Sequence, residues 1–385
     1  MIFKDRNKLS PKYVPLKLPH REGELSLVEG LFRDIFPAEE TFTRIIQLQG
    51  PAGVGKTSVA FHVGRKIEAD ARERNVDLKH VYVNMKLEST SKFVMYSNIA
   101  RKIDPGLVSR SVSAEELLGS ILRYLKAHNK YVILTIDEID YYLKTSKSTD
   151  IIFDLTKMSE IYFGEPINIL GLMFIARDPK WRKMLNNAEL SSLGRIVVNF
   201  KPYTKDQVFD IIDYRASEAF EAGAISDEVL EYIAEVTVDY ANGDIRYALD
   251  IMLYAGTLAE NRDSETVTLE HVRTVLSQLE PHITSEDIMN LNSNEKILLL
   301  TVAEELKARK TAYVDLEDVW ERHFEICEYY GFKKFSRREF NQTIQMLYNK
   351  GLLDLKGLKI GVSNVPVEKL VGFLDYIINR LKEEI

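Results

Sequence analysis

"IIQLQGPAGVGKTSVAF", residues 45–61, joins a short apolar segment to a glycine-rich loop and to the beginning of a helix. The loop from Gly50 to Thr57 matches the pattern G-x-x-x-x-G-K-[ST] in full. Glycines in such a loop let backbone N–H groups point at phosphate oxygens, and the following helix adds the positive end of its dipole. The pattern predicts a phosphate-binding loop in which Lys56 reaches the β and γ phosphates and Thr57 holds Mg²⁺.

Two carboxylates follow the apolar segment 131–136. A buried strand has no reason to end on Asp137 and Glu138 unless these side chains meet a cation or a water. Taken alone, two acids at the end of a strand are common at a sheet edge. Together with the glycine loop they predict a nucleotide site, in which Asp137 orients the metal and Glu138 positions or polarises the attacking water.

The pattern of apolar residues divides the chain into an α/β part and a helical part. Between about residues 44 and 200, helical patterns alternate with β-like runs, which are RIIQLQ, HVYVNM, YVILTID, INILGLMFIA and RIVVNF. This alternation predicts a parallel sheet with flanking helices. After Pro202 the β signal disappears, and a capping box at residues 204–207 opens the first of several predicted helices. These helices predict a separate all-helical domain.

Residues 280–294 are polar and weakly periodic, which predicts a linker. Beyond them the order is helix, helix, helix and a glycine-turned hairpin, the layout of a winged helix-turn-helix. We therefore predict three domains, which are 1–201, 202–281 and 282–385.

The composition is that of a folded protein, with 45% hydrophobic and 28% charged residues in 385. No apolar run is long enough for a bilayer and the N-terminus lacks a secretory signal, so we expect a cytoplasmic protein without membrane association. The single cysteine, Cys327, excludes an internal disulfide and a cysteine-rich zinc site. Because the net charge is −7, any surface that binds nucleic acid has to be a local patch.

The third C-terminal helix carries such a patch. It opens with a capping box at residues 336–339, and residues 333–350 contain five Lys or Arg against one Glu. Apolar residues share one face, while the opposite face has amide and guanidinium groups that can contact base edges in the major groove. A merely solvated face is the alternative. The candidate DNA contacts are Lys333, Lys334, Arg337, Arg338, Gln342 and Gln345, with Lys356 and Lys359 in the hairpin.

With these motifs in place, the whole chain resembles an AAA+ ATPase, and more narrowly the archaeal origin-recognition and cell-division-control family of replication initiators. Besides the glycine loop, the resemblance rests on Leu9–Glu22, on IDEID at 136–140, on FKPYT at 200–204 and on GDIRYALD at 243–250. It implies an α/β AAA+ P-loop NTPase domain, an all-helical lid and a C-terminal winged helix.

The resemblance also implies roles for individual residues. Arg246 takes the sensor-2 position, where a lid arginine reads the phosphates, although without the resemblance a solvated arginine would be the simpler interpretation. A helical insertion at 86–104 would contact DNA. The implied nucleotide contacts are Val14, Pro15, His20, Arg21, Gly53, Val54, Gly55, Lys56, Thr57, Ser58, Tyr203, Arg215 and Arg246, and the insertion's candidate DNA contacts are Lys92, Arg101 and Lys102. A surface histidine with local partners is the alternative for His20, and a charged helix face is the simpler interpretation of each insertion cation.

One position departs from the family pattern. The family places asparagine and aspartate at sensor 1, and the matching pair here is Arg177 and Asp178. Asparagine can orient a water by donating and accepting, whereas arginine can only donate. We therefore expect a weak ATPase that acts mainly as a nucleotide switch. Arg195 is a candidate arginine finger, and a structural arginine is an equal alternative.

The resulting prediction is a replication initiator that binds ATP or ADP with Mg²⁺ and recognises double-stranded origin DNA. The implied partners are a paralogous initiator subunit on adjacent DNA and, downstream, the replicative helicase, which would place the protein at the nucleoid. A transcription-regulating or signalling ATPase with a winged-helix output is the alternative. A motor-type ATPase needs robust hydrolysis, and Arg177 argues against it.

Overall fold

The computed structural model describes residues 1–33, 35, 43–89, 91–108, 112–161, 167–279, 288–363 and 365–383. Contacts within the chain divide it into two compact units. We call residues 12–211 with 241–245 the P-loop unit, and residues 1–11, 212–240 and 246–385 the winged-helix unit. The three domains expected from the sequence stay a prediction.

The P-loop unit contains a five-stranded parallel sheet in the order β2-β3-β4-β1-β5. The prediction of a parallel sheet from five apolar runs is therefore confirmed. In the strand register Gln49 pairs with Ala176, and Asn84 pairs with Asp137, so these strand ends lie at one edge. The strands are β1 (Arg44–Gln49), β2 (Asp77–Asn84), β3 (Lys130–Asp137), β4 (Ile169–Ala176) and β5 (Val197–Asn199).

Helices cover this sheet because its central strands are apolar on both faces. Every residue of β4 is buried, as expected for a strand that lies between two layers of helices. The helices are α1 (Glu22–Phe32), α2 (Lys56–Glu73), α3 (Met85–Glu88), α4 (Lys92–Ile103), α5 (Ala114–Ala127), α6 (Ile139–Ser146), α7 (Asp150–Thr156), α8 (Met158–Ile161) and α9 (Asn187–Leu193).

Four helices follow the sheet, as the sequence predicts. Thr204 and Gln207 form the predicted reciprocal capping contacts before the first of them, with N···O distances of 3.2 and 3.4 Å. In the winged-helix unit, Phe3 of the N-terminal segment forms a β-bridge with Phe220 and packs against its ring. The helices are α10 (Lys205–Ala219), α11 (Asp227–Ala241), α12 (Ile245–Asn261) and α13 (Leu269–Leu279).

The C-terminal part has the predicted winged-helix layout. Its strands form a small antiparallel sheet in the order β6-β8-β7. The predicted linker is described only after residue 287, and Asn292 already caps the next helix. The elements are α14 (Ser293–Arg309), β6 (Val314–Asp315), α15 (Leu316–Tyr330), α16 (Arg337–Asn349), β7 (Leu353–Lys356), β8 (Lys359–Val362) and α17 (Val367–Glu383).

Helix α17 was not predicted. It packs on α14, and its apolar residues recur with helical spacing, so the pattern was available in the sequence.

Within the residues that the structure covers, no helix is both long and apolar enough to span a membrane.

Candidate functional site

The predicted phosphate-binding loop joins β1 to α2 in a conformation that requires glycine. Gly53 and Gly55 have φ angles of 67° and 90°, in the left-handed region. A Cβ atom on Gly53 would overlap the carboxyl group of Asp244. The Ile245 N–H also donates to the Gly53 carbonyl at 3.4 Å. The loop therefore packs closely against the segment that precedes α12.

Lys56 is buried at the beginning of α2 and folds back over the loop. Its ammonium group donates to the Gly50 carbonyl at 2.7 Å and also to the Pro51 carbonyl. A buried ammonium needs oxygen partners, and here the loop itself supplies carbonyl oxygens. The same charge is available to phosphate oxygens bound in the loop. Its contact with the β and γ phosphates stays a prediction.

Asp137 lies at the end of β3 beside the loop, as predicted. Its Oδ2 accepts hydrogen bonds from the Thr57 hydroxyl and from the Tyr82 hydroxyl, both at 2.8 Å. Its Oδ1 accepts from the Glu138 N–H at 2.7 Å. Burial raises the pKa of Asp137, while these three hydrogen bonds oppose the shift. Two chain segments 80 residues apart therefore meet at one carboxylate.

The second acid, Glu138, has a left-handed backbone conformation with φ of 58°. Its Oε1 accepts a hydrogen bond from the Arg177 guanidinium at 2.5 Å. Arg177 follows β4, and its N–H donates to Asp140 Oδ2 at 3.3 Å. The sequence predicted that Arg177 replaces the sensor-1 asparagine, but it did not predict that the guanidinium pairs with Glu138.

Arg21 and Tyr203 also lie at the loop. Arg21 is buried, and its guanidinium donates to the Val54 carbonyl at 2.8 Å and to the Lys201 carbonyl at 2.7 Å. It stacks 3.9 Å above the Tyr203 ring, and burial raises the pKa of Tyr203 to about 12. A Cβ atom on Gly55 would lie 2.9 Å from the Tyr203 hydroxyl. Arg21 therefore connects the loop to the segment that precedes α10.

The remaining nucleotide candidates are placed as follows. Pro15 is buried and Val14 half-buried, and their contact with a base stays a prediction. His20 approaches Asp210, with Nε2 2.7 Å from Oδ2. Arg215 is buried in the winged-helix unit and donates to the Lys8 carbonyl at 2.7 Å, so it holds the N-terminal segment on α10. Arg246 is an exposed residue of α12, and its sensor-2 role stays a prediction. Ser58 lies in the first turn of α2.

Helix α16 has the two faces expected from the sequence. The Ser336 side chain and Glu339 form the predicted capping box. Phe340, Ile344 and Leu347 are buried, and the opposite face carries exposed side chains. On that face Gln345 donates to Asn349 Oδ1 at 3.0 Å. The other exposed side chains there are Arg338, Asn341, Gln342 and Met346.

The two arginines at the start of α16 have different surroundings. Arg337 pairs with Glu317 at 2.5 Å and lies 4.8 Å from the Trp320 ring. Glu317 of α15 therefore offsets the charge of Arg337 within the chain. Among the described residues Arg338 has no ion-pair partner, and it is exposed. Lys333 is exposed as well, while Lys334 pairs with Glu328.

The hairpin lysines also differ. Lys359 is exposed, next to the exposed Leu358 at the tip. Lys356 pairs with Glu235 of α11, and its ammonium lies 4.6 Å from the Tyr313 ring. Glu235 is buried and accepts from the Tyr313 hydroxyl at 2.6 Å. Lys356 thus joins the hairpin to α11, which weakens the case for a phosphate contact predicted from the sequence.

In the predicted insertion, two of the three cations are held by carboxylates. Lys92 pairs with Asp154 and Glu115, each at 2.7 Å. Lys102 pairs with Glu88. Arg101 is exposed and donates to the Asn98 side chain at 2.9 Å, so it is the candidate that DNA could reach most easily.

A buried histidine fixes the loop before α16. His323 Nε2 accepts from the Phe335 N–H at 3.3 Å, while Nδ1 contacts the Trp320 carbonyl at 2.5 Å. The ring is neutral in this arrangement, with the proton on Nδ1. Burial lowers the pKa of His323, and the charges of Arg337 and Lys334 lower it further. Protonation would replace the acceptor of the Phe335 N–H with a donor.

The free energy of unfolding is therefore expected to fall below pH ~6.5. Because the pKa of folded His323 lies below its unfolded value of about 6.5, its contribution is fully present above that pH and lost below it. We expect the His323→Gln variant to be less stable than the wild type at neutral pH, and its stability to depend less on acid. Thermal unfolding followed by circular dichroism measures both. The exposed His128→Gln variant is the control, and an unchanged pH dependence in His323→Gln would contradict this account.

Three family models match parts of the chain. An AAA domain matches residues 42–185, and a Cdc6 AAA+ ATPase-type lid domain matches residues 209–277. A CDC6 C-terminal winged helix domain matches residues 286–363. The predicted fold class, with an AAA+ domain, a helical lid and a winged helix, is confirmed.

Full-length relatives decide the family. The ORC1-type DNA replication protein 1 of Aeropyrum pernix is 30% identical over 352 residues, which cover 91% of this chain and 87% of the relative. The ORC1-type DNA replication protein 2 of Saccharolobus solfataricus is 27% identical, and the match covers 99% of this chain and 94% of the relative. The chain belongs to the ORC1-type DNA replication protein family. The resemblance to replication initiators is therefore confirmed.

Solved structures agree with this ORC1-type assignment. Cdc6p from Pyrobaculum aerophilum has a TM-score of 0.82 and 25% identity, with 99% of each chain covered. The Aeropyrum pernix ORC1 protein in complex with DNA has a TM-score of 0.64 and 28% identity, again over 99% of each chain.

Several residues of this ORC1-type site were not predicted. Tyr82 supports Asp137 from β2, and Asp140 accepts the N–H groups of Arg177 and Asp178 at 3.3 and 3.1 Å. Asp140 belongs to the quoted IDEID motif, so its sequence signal was available. Tyr82 lies in a strand that mixes apolar and polar residues, so the local sequence does not distinguish it. The strand order, with β2 beside β3, brings it to Asp137.

Proposed function

We propose that this ORC1-type protein is a nucleotide-controlled initiator that binds ATP or ADP at the P-loop and origin DNA at its winged helix. The observation that carries the nucleotide part is the convergence of Lys56, Thr57 and Asp137 on one loop. Phosphate binding needs backbone N–H groups at a helix N-terminus and a nearby cation, and the loop and Lys56 supply both. Arg21 supports the loop by donating to the Val54 carbonyl, and Tyr203 stacks on Arg21.

Mg²⁺ fits the same place. The cation prefers oxygen ligands and is held by few protein groups, with waters and substrate phosphates completing its octahedron. The Thr57 hydroxyl donates to Asp137 and keeps its lone pairs for a cation. Among the described residues no group of three or more His, Cys, Asp or Glu side chains could hold a metal. Mg²⁺ would instead be held by Thr57 and Asp137 together with waters and phosphate oxygens, and its charge would neutralise phosphate charge.

The DNA part rests on α16. Its exposed face combines Arg338 with the amides of Gln342 and Gln345, which are groups that contact guanine and adenine edges. The hairpin tip with Lys359 adds a phosphate contact. The similar Aeropyrum pernix ORC1 protein was solved in complex with DNA, which supports double-stranded DNA as the ligand here.

We also propose two protein partners in the initiation of DNA replication. A paralogous initiator subunit would bind adjacent DNA, since the Saccharolobus and Aeropyrum relatives carry numbered names. The replicative helicase would be recruited afterwards. We place the protein in the cytoplasm, at the nucleoid.

The proposal is tested by incubating the purified protein with sheared DNA from its own host at moderate salt and sequencing what is retained. A few clustered, repeated sites beside an AT-rich region are expected. Scattered promoter sites would instead indicate a transcription regulator. Retention that depends on salt but not on sequence would contradict origin recognition, because it reports phosphate contacts alone.

A further inference from the structure

Glu138 and Arg177 form an ion pair at the carboxyl edge of the sheet. The guanidinium Nη2 lies 2.5 Å from Glu138 Oε1, and the Glu138 side chain is only 14% exposed. A charge-assisted hydrogen bond of this length occupies one lone pair of Oε1 and holds the carboxylate in one orientation. Glu138, which the sequence predicts to polarise the attacking water, is therefore already paired with a cation.

The backbone that carries Arg177 is fixed independently of this ion pair. Asp140 is buried, and its Oδ2 accepts the N–H groups of Arg177 and Asp178. Asp178 in turn accepts from the Lys180 N–H at 2.9 Å and pairs with Lys144 at 3.0 Å. Because these hydrogen bonds hold the backbone at Arg177 and Asp178, the Arg177 side chain extends from a fixed backbone position.

Glu138 is constrained from its own side as well. Its N–H donates to the Asp137 carboxylate, and its backbone adopts the left-handed conformation with φ of 58°. A general base must come within hydrogen-bond distance of the water whose proton it accepts. Arg177 holds the Glu138 carboxylate toward the end of β4, and an arginine cannot accept a proton from the water in its place.

The geometry points to Arg177 as a positioning residue that withholds Glu138 from catalysis, so that this protein keeps ATP bound and hydrolyses it slowly. This inference rests on the proposed nucleotide site. In hydrolysis the water oxygen bonds to the γ-phosphorus, and the bond from that phosphorus to the β–γ bridging oxygen breaks. ADP leaves with the electron pair, and a water proton passes to the Glu138 carboxylate. Releasing Glu138 from Arg177 should accelerate this step.

Arg177→Asn should therefore increase the rate of ATP hydrolysis. A substitution that only disturbed the structure of the site would not increase this rate. In single turnover of pre-bound ATP we expect a rate increase of about tenfold or more, since a positioned general base contributes ~100-fold or more. Lys180→Asn removes an exposed cation from the same loop and should leave the rate unchanged. In a Glu138→Gln background, Arg177→Asn should give no gain.

Affinity for a non-hydrolysable ATP analogue gives a readout other than turnover. Arg177→Ala should weaken binding because it leaves the Glu138 charge unpaired near the triphosphate, and adding Glu138→Gln should restore most of the loss. We expect a coupling of about threefold to tenfold between the two substitutions. A slower rate in Arg177→Asn, or independent effects of the two residues, would overturn the inference. If neither the wild type nor Lys180→Asn bound the analogue, the proposed nucleotide site itself would be wrong.

Discussion

Replacing Lys56 with alanine is expected to abolish the retention of ATP and ADP. The ammonium group is buried against the loop carbonyls, so a bound phosphate would meet a cation that water screens only weakly. Hydrogen bonds to charged groups are the strong ones, and losing two of them costs about 3 kcal/mol, or about a hundredfold in affinity. Calorimetric titration of nucleotide-free protein measures this change directly.

Lys66→Ala is the matched control for this experiment. Lys66 lies on the same helix, α2, but is half-exposed and pairs with Glu29 instead of the loop. It should bind nucleotide like the wild type. If the Lys56→Ala protein carried the same amount of ADP after purification as the wild type, the nucleotide site would have been assigned to the wrong loop.

The second large effect is expected at the start of α16. Arg338→Ala should weaken binding to the specific DNA site by about 1–3 kcal/mol and relax the sequence preference at one position. The reason is that Arg338 is exposed without an ion-pair partner among the described residues, on the face that carries Gln342 and Gln345. Competition binding with single base-pair variants of the site measures both quantities.

The neighbouring Arg337→Ala is the control, because it removes the same charge from the same turn. Arg337 already pairs with Glu317 and packs on Trp320, so it should matter less for base preference. Equal weakening by Arg338→Ala at every sequence would reduce its role to a phosphate contact.

The parts of this protein that the sequence predicted are those specified by local signals. The glycine loop needs left-handed backbone at fixed positions, and the capping boxes at Thr204 and Ser336 need only residues three apart. The apolar runs give the strands, because a strand between helices is buried on both faces. Asp137 was predicted for the same reason, since it ends such a strand.

The parts that it did not predict depend on residues far apart in the chain. Glu317 neutralises Arg337, Glu235 holds Lys356, and Glu138 meets Arg177 only because β4 lies beside β3. A cation in a sequence gives its charge but not its partner. The sequence therefore could not show which of these cations already have carboxylate partners within the chain, nor that Arg177 pairs with Glu138.

Sequence-specific binding of DNA by the winged helix of this ORC1-type protein can be measured directly. The most direct measurement is the ratio of dissociation constants for a site recovered from host DNA and a scrambled duplex of equal length, at one physiological salt concentration. We expect a ratio of about a thousandfold or more, as specific DNA-binding proteins show. A ratio near one would contradict it, because binding would then come from phosphate contacts alone.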